Sequence, residues 1–380
     1  MILEERSHFM QYKLFKNGIH LSRLGMGNMR LPEKEENGQT VIDYPKAKMI
    51  IDDAFKAGIN YFDTAYIYHN GQSESFTGKA LAEYPRGSYY VADKFNFQAQ
   101  PDYRKQFAEQ LRRLQLDYID FYLLHGIQDN FVDDILASGC IKYFSQLKEK
   151  GKLQYLGFSF HGNTDSMQKM LSAYNWDFVQ IQLNYYDWEY GNQKKLYDML
   201  TQHHIPVFVM EPVHGGLLAR LNESSSSLLR DADPDATLAS WAMRFVMSLD
   251  NVQVILSGMN TPEQMADNVK TFNDNRLLNE NEKALLKKAA DLLRPSIALP
   301  CTGCRYCTPN CPKGLDIPRL LAAYNDAKSD ASWRLVNLKA LPENKQPAAC
   351  IGCGSCTAHC PQSIDTPSAM KEMAELMKTL

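Results

Sequence analysis

Eight cysteines fall into two runs near the end of the chain, with the same spacing in each. The first run is CTGCRYCTPNCPKG, from residue 301, and the second is CIGCGSCTAHCPQS, from residue 350. Both read C-x2-C-x2-C-x3-C-P, which is the spacing of thiolate ligands to [4Fe–4S] clusters. Zinc is the competing interpretation, but a zinc site takes two C-x2-C pairs and no trailing proline. The spacing therefore predicts two [4Fe–4S] clusters.

The two runs resemble those of two-cluster bacterial ferredoxins, in which the fourth cysteine of each run ligates the other cluster. This resemblance implies one cluster on Cys301, Cys304, Cys307 and Cys360 and another on Cys350, Cys353, Cys356 and Cys311. Helical patterns between the runs and over 365–380 indicate the mostly α-helical type of ferredoxin that is fused to reductases. Pro295 and Pro300 mark a boundary, so we expect domains at 1–295 and 296–380.

The composition is that of a globular protein, with 380 residues of which 44% are hydrophobic and 22% charged. A net charge of −3 gives no basic footprint for nucleic acid, and no run approaches the roughly 18 apolar residues of a membrane span. The start, MILEERSHFM, lacks the pattern of a secretory signal. Cysteines clustered at ligand spacing, with only Cys140 elsewhere, indicate a reducing compartment. We therefore expect a cytoplasmic protein without a membrane span or a nucleic-acid partner.

Eight strand-like runs of apolar residues alternate with helical patterns between residues 19 and 270. They cover 21–27, 60–65, 89–95, 118–125, 153–160, 177–184, 205–211 and 251–258. Such strands, separated by helices, indicate a parallel sheet covered by helices. Eight units in about 250 residues match a (β/α)8 TIM barrel, so we predict an α/β fold with a small α-helical domain after it. A doubly wound open sheet is the alternative, but GMGNMR lacks the third glycine of a dinucleotide-binding turn.

Four polar residues lie at or just after the ends of three consecutive predicted strands. Asp63, Lys94 and His125 end the second, third and fourth strands, and Tyr68 follows in the loop after the second. Active groups of such barrels lie at the C-terminal ends of the strands. We therefore expect these four side chains to meet at one rim.

Residues 12–270 resemble the aldo-keto reductase superfamily. The matching segments, in the family's order, are FDTAYIYHNGQSE (62–74), DKF (93–95), LLH (123–125), GKLQYLGFS (151–159) and QIQLN (180–184). The resemblance implies a catalytic tetrad of Asp63, Tyr68, Lys94 and His125, acting on a small carbonyl compound. Free Tyr has a pKa of about 10, and a nearby ammonium such as Lys94 lowers it, which suits Tyr68 as the general acid. Asp63 would hold Lys94, His125 would orient the carbonyl oxygen, and the cofactor supplies the hydride.

The same resemblance implies a nicotinamide nucleotide, NADP or NAD. Ser159 and Gln182 match the residues that hold the nicotinamide amide, although the family's Asn after the Ser is Phe160 here. On the adenosine side the matching positions are Ser257, Gly258, Gln264 and Asn268. Gly258 and Gln264 stand where NADP-specific members carry cations, so the sequence does not choose between the two nucleotides. The segment 211–218, EPVHGGLL, offers backbone N–H groups to the pyrophosphate.

Three functional interpretations stay open. In the first, the barrel is an NAD(P)H-dependent carbonyl reductase, and the clusters serve structure or regulation. In the second, a redox partner protein sends electrons through the clusters to a substrate or cofactor on the barrel. In the third, the protein is an electron-transfer module with the barrel as a scaffold. The intact tetrad favours the first, and aromatic and His residues in the rim loops indicate a substrate with apolar surface: Tyr66, His69, His161, Tyr185, Tyr186 and Trp188.

Overall fold

The computed structural model describes residues 10–329 and 332–379, and the chain divides by its packing into two compact units. The first unit is Met1–Pro212 with Ala239–Asn279, and the second is Val213–Leu238 with Glu280–Leu380. The domain boundary at residue 295 stays a prediction. The first nine residues lie outside the described residues. They include most of the N-terminal segment for which we predict no secretory signal.

Strands of the first unit form a closed barrel and two hairpins. In chain order they are β1 (Tyr12–Leu14), β2 (His20–Ser22), β3 (Leu24–Gly27), β4 (Glu33–Glu36), β5 (Gln39–Ile42), β6 (Tyr61–Asp63), β7 (Tyr90–Phe95), β8 (Ile119–Ile127), β9 (Leu153–Phe160), β10 (Phe178–Gln182), β11 (Val207–Met210) and β12 (Val252–Ser257). The barrel runs from β3 through β6–β12 and back to β3, with every neighbouring pair parallel. Each predicted run overlaps one barrel strand, and β8 extends two residues beyond its run, so the predicted (β/α)8 fold is confirmed.

The N-terminal end of the barrel is closed by aromatic packing. Phe15, next to the hairpin of β1 and β2, places its ring centroid 5.6 Å from that of Phe121 and 5.1 Å from that of Tyr155. Phe208 lies 5.7 Å from Phe15 by the same measure. Phe121, Tyr155 and Phe208 belong to the N-terminal halves of β8, β9 and β11, and tilted or edge-to-face aromatic contacts of this kind are favourable. The opposite, C-terminal rim is left for polar side chains.

Helices follow the strands around the barrel and make up the regular structure of the second unit. They are α1 (Tyr44–Lys56), α2 (Ser73–Leu81), α3 (Tyr103–Leu114), α4 (Val132–Ala137), α5 (Cys140–Glu149), α6 (Thr164–Ala173), α7 (Tyr185–Tyr190), α8 (Gln193–Gln202), α9 (Glu223–Ala232), α10 (Leu238–Met247), α11 (Pro262–Asp274), α12 (Glu280–Leu293), α13 (Ile317–Ser329), α14 (Ser355–Ala358) and α15 (Thr366–Lys378). Side-chain caps fix several starts: Asp102 accepts from the N–H groups of Arg104 and Lys105 before α3, for example. Within the described residues, no helix is long and apolar enough to cross a membrane.

The cysteine region of the second unit is an internal repeat in backbone conformation as well as in sequence. Positive φ angles recur at matched positions of the two runs: 66° and 68° at Gly303 and Gly352, and 66° and 73° at Arg305 and Gly354. The helix that follows each run begins at matched positions, α13 after the first and α15 after the second. Leu320, Leu335, Met370 and Met373 are part of the core between these helices. In the described part of this unit the regular elements are helices, which confirms the predicted helical type.

Candidate functional site

Three of the four predicted tetrad residues lie at the C-terminal ends of neighbouring barrel strands. Asp63 is the last residue of β6, Lys94 is the penultimate residue of β7, and His125 lies near the end of β8. In the parallel register Asp63 pairs with Ala92 and Lys94 with Leu123. Tyr68 begins the short 3-10 helix after β6. The strand order therefore brings all four residues to one rim.

Lys94 and Asp63 form a buried ion pair. Nζ of Lys94 donates to Oδ1 of Asp63 at 2.5 Å and to the backbone carbonyl of Thr64 at 2.7 Å. Neither charged side chain is open to solvent, since they are 0% and 3% exposed. Burial raises the pKa of Asp63, and the ammonium of Lys94 opposes that rise. These contacts hold the ammonium group of Lys94 at a fixed place under the rim.

Tyr68 and His125 complete the group of four. Nζ of Lys94 lies 4.9 Å from the centroid of the Tyr68 ring, and the rings of Tyr68 and His125 meet edge to face at 5.7 Å. Burial, together with the charge of Lys94 and the neighbouring His161, holds the pKa of His125 well below its ordinary value. His125 is therefore a neutral imidazole at pH 7, able to donate one hydrogen bond and accept another. The arrangement can give a proton to a carbonyl oxygen and orient it, although the individual roles stay predictions.

A layer of polar residues outside the barrel supports the strand that carries Lys94, and sequence reasoning did not identify it. Nε2 of Gln110 donates to the backbone carbonyl of Lys94 at 2.9 Å and to Glu74 at 3.0 Å, and Arg113 donates to Glu74 at 2.8 Å. Burial and the nearby Glu74 carboxylate raise the pKa of Asp93 well above its ordinary value. Two features of the sequence could have revealed this layer. They are Asp93, the acidic residue before Lys94, and Glu74, which ends the matching segment 62–74.

The residues predicted to hold the nicotinamide lie on adjacent strands, β9 and β10. Oγ of Ser159 accepts from the N–H of Gly126 at 2.7 Å. Gln182 donates through Nε2 to Asp187 at 2.7 Å, and Asn184 donates to the same Asp187 oxygen at 2.6 Å. Asp187, in α7, was not predicted, although its position three residues after Asn184 fits a side-chain cap at a helix start. These side chains present an amide and a hydroxyl near the rim, the donor set that a carboxamide needs.

The residues predicted for the adenosine side lie at the end of β12 and on α11. Nδ2 of Asn268 donates to Oγ of Ser257 at 2.8 Å. Oε1 of Gln264 accepts from the N–H of Asn260 at 2.9 Å, and Thr261 caps the start of α11. The structure therefore brings these positions together around one loop, whereas their contacts with a nucleotide stay predictions.

Arg30 takes up the space next to Gly258, a relationship that sequence reasoning missed. A Cβ atom on Gly258 would lie 2.8 Å from Cγ of Arg30 and 3.0 Å from its Cβ. Arg30 ends the 3-10 helix that follows β3, and β3 pairs with β12 in the barrel. The aliphatic part of the Arg30 side chain therefore lies against Gly258, one of the positions predicted for the adenosine side.

The aromatic and His residues of the rim loops have mixed surroundings. Nδ1 of His69 hydrogen-bonds Glu33 at 2.6 Å, and Tyr66 donates to Glu109 at 2.9 Å. Burial lowers the pKa of His161 to about 4. Tyr185 and Tyr186 are buried in α7. The hydrogen bonds of Tyr66 and His69 therefore stabilise the rim loops. His161 adds a neutral imidazole near His125.

The eight cysteines of the two runs surround two cavities. The first cavity is lined by Cys301, Cys304, Cys307 and Cys360, and the second by Cys311, Cys350, Cys353 and Cys356. Each cavity thus has three thiols of one run and the fourth thiol of the other, the grouping that the ferredoxin resemblance implies.

The chemistry of these donors fits iron–sulfur clusters. Among the described residues, no three His, Cys, Asp or Glu side chains meet closely enough to hold a single metal ion. The thiols instead line a space, as ligands of a multi-atom cluster do. Ile317 and Thr366, which begin α13 and α15, line both cavities.

Comparisons with known protein families match both parts of the chain. The model of the aldo/keto reductase family matches residues 23–291, and the model of a 4Fe-4S dicluster domain matches residues 300–364. Together the two matches leave residues 292–299 between them.

Curated relatives and solved structures match about three quarters of the chain. The chain is 26% identical over 308 residues to the uncharacterized oxidoreductase YqkF of Bacillus subtilis, covering 72% of this chain and 94% of that protein. It is 25% identical over 323 residues to the NADH-specific methylglyoxal reductase of Escherichia coli, covering 72% and 96%. The holo form of aldo-keto reductase AKR11C1 from Bacillus halodurans superposes with a TM-score of 0.62 at 28% identity, covering 74% and 96%.

Proposed function

We propose that this chain, which belongs to the aldo/keto reductase family, reduces the carbonyl group of an aldehyde or ketone with Tyr68 as the general acid. As a member of this family it is an oxidoreductase that uses a nicotinamide nucleotide. One observation carries the proposal: the Lys94 ammonium lies 2.5 Å from Asp63 and 4.9 Å from the centre of the Tyr68 ring, beside neutral His125. This places a fixed positive charge next to a phenol, which favours loss of the phenolic proton.

Each tetrad residue has its own task in the proposed reaction. Tyr68 gives its hydroxyl proton to the carbonyl oxygen as negative charge develops there. Lys94 stabilises the phenolate that results, and Asp63 keeps Lys94 in place. His125, as a neutral imidazole, donates a hydrogen bond that orients the carbonyl oxygen. Burial of the ion pair strengthens these electrostatic effects because water does not screen them.

The nucleotide would be held along the rim between β9, β10 and β12. Ser159 and Gln182 hold the carboxamide, and Ser257, Gly258, Gln264 and Asn268 contact the adenosine portion. When bound, the nucleotide supplies the hydride that the protein itself lacks. The family resemblance and the hydroxyl and amide donors at these positions support this assignment.

We assign NADPH as the preferred nucleotide. The Arg30 side chain packs against Gly258, where the family resemblance puts a cation for the 2′-phosphate in NADP-specific members, and a guanidinium suits phosphate recognition. The Escherichia coli relative is named as NADH-specific, so membership of the family does not by itself set the preference.

Two [4Fe–4S] clusters are proposed for the second unit, one in each cysteine cavity. Cys301, Cys304, Cys307 and Cys360 would ligate one cluster, and Cys350, Cys353, Cys356 and Cys311 the other. Such clusters exchange one electron each. Their thiolate ligands suit the reducing interior of a cell, which supports a cytoplasmic location.

An anaerobic absorbance experiment tests the proposed function. The purified protein, with its iron content measured, is mixed with NADPH with and without an aldehyde. We expect aldehyde-dependent oxidation of NADPH while the visible cluster absorbance stays constant. Bleaching of the clusters by NADPH, reversed by the aldehyde, would favour the alternative in which the clusters take part in turnover. Absence of NADPH oxidation with every carbonyl tested would leave the scaffold interpretation.

A further inference from the structure

The matched positions of the two cysteine runs differ sharply in exposure. Thr302 follows the first cysteine of its run and is 3% exposed, whereas Ile351, at the matched position of the second run, is 60% exposed. Cys353 is exposed, and its counterpart Cys304 is only partly exposed. Because positive φ angles recur at matched positions of the two runs, the difference in exposure points to what covers each run.

The first run is covered by another segment of the same compact unit. The backbone of Thr302 lies directly against Gly215, where any Cβ atom would collide with the Thr302 carbonyl. Gly215 has a φ of 64°, which glycine adopts readily. At two positions of the second run no described residue lies so close: Cβ atoms built on Gly352 and Gly354 would meet no atom within 4 Å. The second run is the open side of the repeat.

Basic side chains flank the open run. Lys313 is exposed and lines the second cavity together with Ile351. Nζ of Lys345 donates to the backbone carbonyls of Lys313 and Gly314, both at 3.0 Å, which fixes a second positive charge beside it. A solvent-exposed isoleucine next to an exposed cysteine, with lysines at its edge, has the apolar centre and charged rim of a protein interface.

We propose that the loop Cys350–Gly354, with Lys313 and Lys345, is the docking site for a small acidic protein that carries one electron at a time. This inference rests on the cluster ligation given under Proposed function. With a cluster held by Cys311, Cys350, Cys353 and Cys356, one electron would pass to it from the reduced centre of the carrier, with no bond formed and no proton moved. Lysines at the edge steer an acidic partner and raise its association rate. Ile351 supplies the apolar contact at the centre.

Stopped-flow reduction of the holoprotein tests the docking site without nucleotide or carbonyl substrate. The probe is a reduced acidic bacterial ferredoxin, and dithionite serves as the small reductant that needs no docking. Ile351→Glu and Lys313→Glu are compared with Val336→Glu, which places the same charge on an aliphatic side chain that is 44% exposed in the same unit. Iron content and the electron paramagnetic resonance spectrum are recorded for each variant.

The expected result is a roughly ten-fold slower reduction of the Ile351→Glu and Lys313→Glu proteins by ferredoxin, with dithionite rates unchanged and Val336→Glu like wild type. The ferredoxin rate of the wild type should also fall with added salt. Wild-type ferredoxin rates in both variants would overturn the docking site, as would an equal slowing with dithionite. If Ile351→Glu loses iron, Lys313→Glu decides. Failure of carbonyl reduction would leave these rates unaffected, so the two proposals are tested separately.

Discussion

Nζ of Lys94 lies 2.5 Å from Oδ1 of Asp63, and both side chains are closed off from solvent by the barrel. Each charge therefore depends on the other, since water cannot replace a lost partner. An isolated buried charge is far more costly than a buried pair. The contact that positions the Lys94 ammonium therefore also stabilises the fold at the C-terminal rim of the barrel.

Replacing Lys94 alone should destabilise the fold. We expect Lys94→Met to lower the free energy of unfolding by roughly 3–5 kcal/mol, because Asp63 remains as an unpaired buried carboxylate. Asp63→Asn in the same chain should restore most of that loss while carbonyl reduction stays absent. Chemical denaturation of the single and double variants measures this. If the single and double variants were equally destabilised, the loss would come from packing and not from the unpaired charge of Asp63.

Removing the phenolic hydroxyl should abolish the chemistry and spare binding. We expect Tyr68→Phe to lower kcat for aldehyde reduction by roughly 10²–10⁴-fold, since proton donation contributes about that much. Titration with NADPH should give the wild-type affinity. Tyr12→Phe, which removes a hydroxyl that donates to the Gly58 carbonyl in the first unit, is the matched control. Near wild-type turnover by Tyr68→Phe would remove Tyr68 from the role of general acid.

Sequence patterns were sufficient for the barrel and for the placing of the tetrad. Apolar runs of strand length reveal buried parallel strands, and strand ends in a barrel share a rim, so Asp63, Lys94 and His125 could be placed together. Gln110 and Arg30 could not be found in this way. Their contacts join elements far apart in the chain, α3 with β7 and the first loop with β12. Only the packing of the fold brings such residues together.

Arg30 should set the preference for NADPH. We expect Arg30→Gln to raise the KM for NADPH roughly ten-fold, because a guanidinium–phosphate contact is lost. The KM for NADH should stay unchanged, since NADH has no 2′-phosphate. Lys34→Gln, an exposed neighbour in β4, provides the control for general loss of positive charge. A similar rise for both nucleotides would mean that Arg30 serves the loop structure instead.

The crossed arrangement of cysteines can be tested by comparing single substitutions. Cys360→Ser should remove the same cluster as Cys301→Ser, and Cys311→Ser the same cluster as Cys350→Ser. Electron paramagnetic resonance spectra should therefore pair across the two runs, and each variant should keep about half of the wild-type iron. Cys140→Ser, which alters a buried cysteine outside the runs, should keep all of it. Spectra that pair within a run would contradict the crossed ligation.

Acid should weaken the fold partly through His161. Its pKa is lowered by burial to about 4, from an ordinary value of 6.5. Below about pH 6.5, His161 is therefore protonated in the unfolded chain but stays neutral in the folded chain until the pH approaches 4. The free energy of unfolding should fall as the pH drops from 6.5 towards 4, by at most about 1.4 kcal/mol per pH unit for this group.

Comparison of His161→Asn with the wild type isolates this contribution. Denaturation at pH 7 and pH 5.5 should show a smaller loss of stability in the variant than in the wild type. His203→Asn, an exposed residue at the end of α8, should behave like the wild type. An identical loss in the wild type and His161→Asn would show that His161 is open to protons in the folded state.

Each cavity is lined by cysteines from both runs, and this affects when it can form during synthesis of the chain. Chains grow at about 5–20 residues per second, so Cys301, Cys304 and Cys307 leave the ribosome seconds before Cys360, which completes their cavity. A product that stops before residue 350 would present three thiols of one cavity and one of the other. The second cavity waits for Cys356 and the first for Cys360. A product that stops before residue 356 can therefore complete neither cavity.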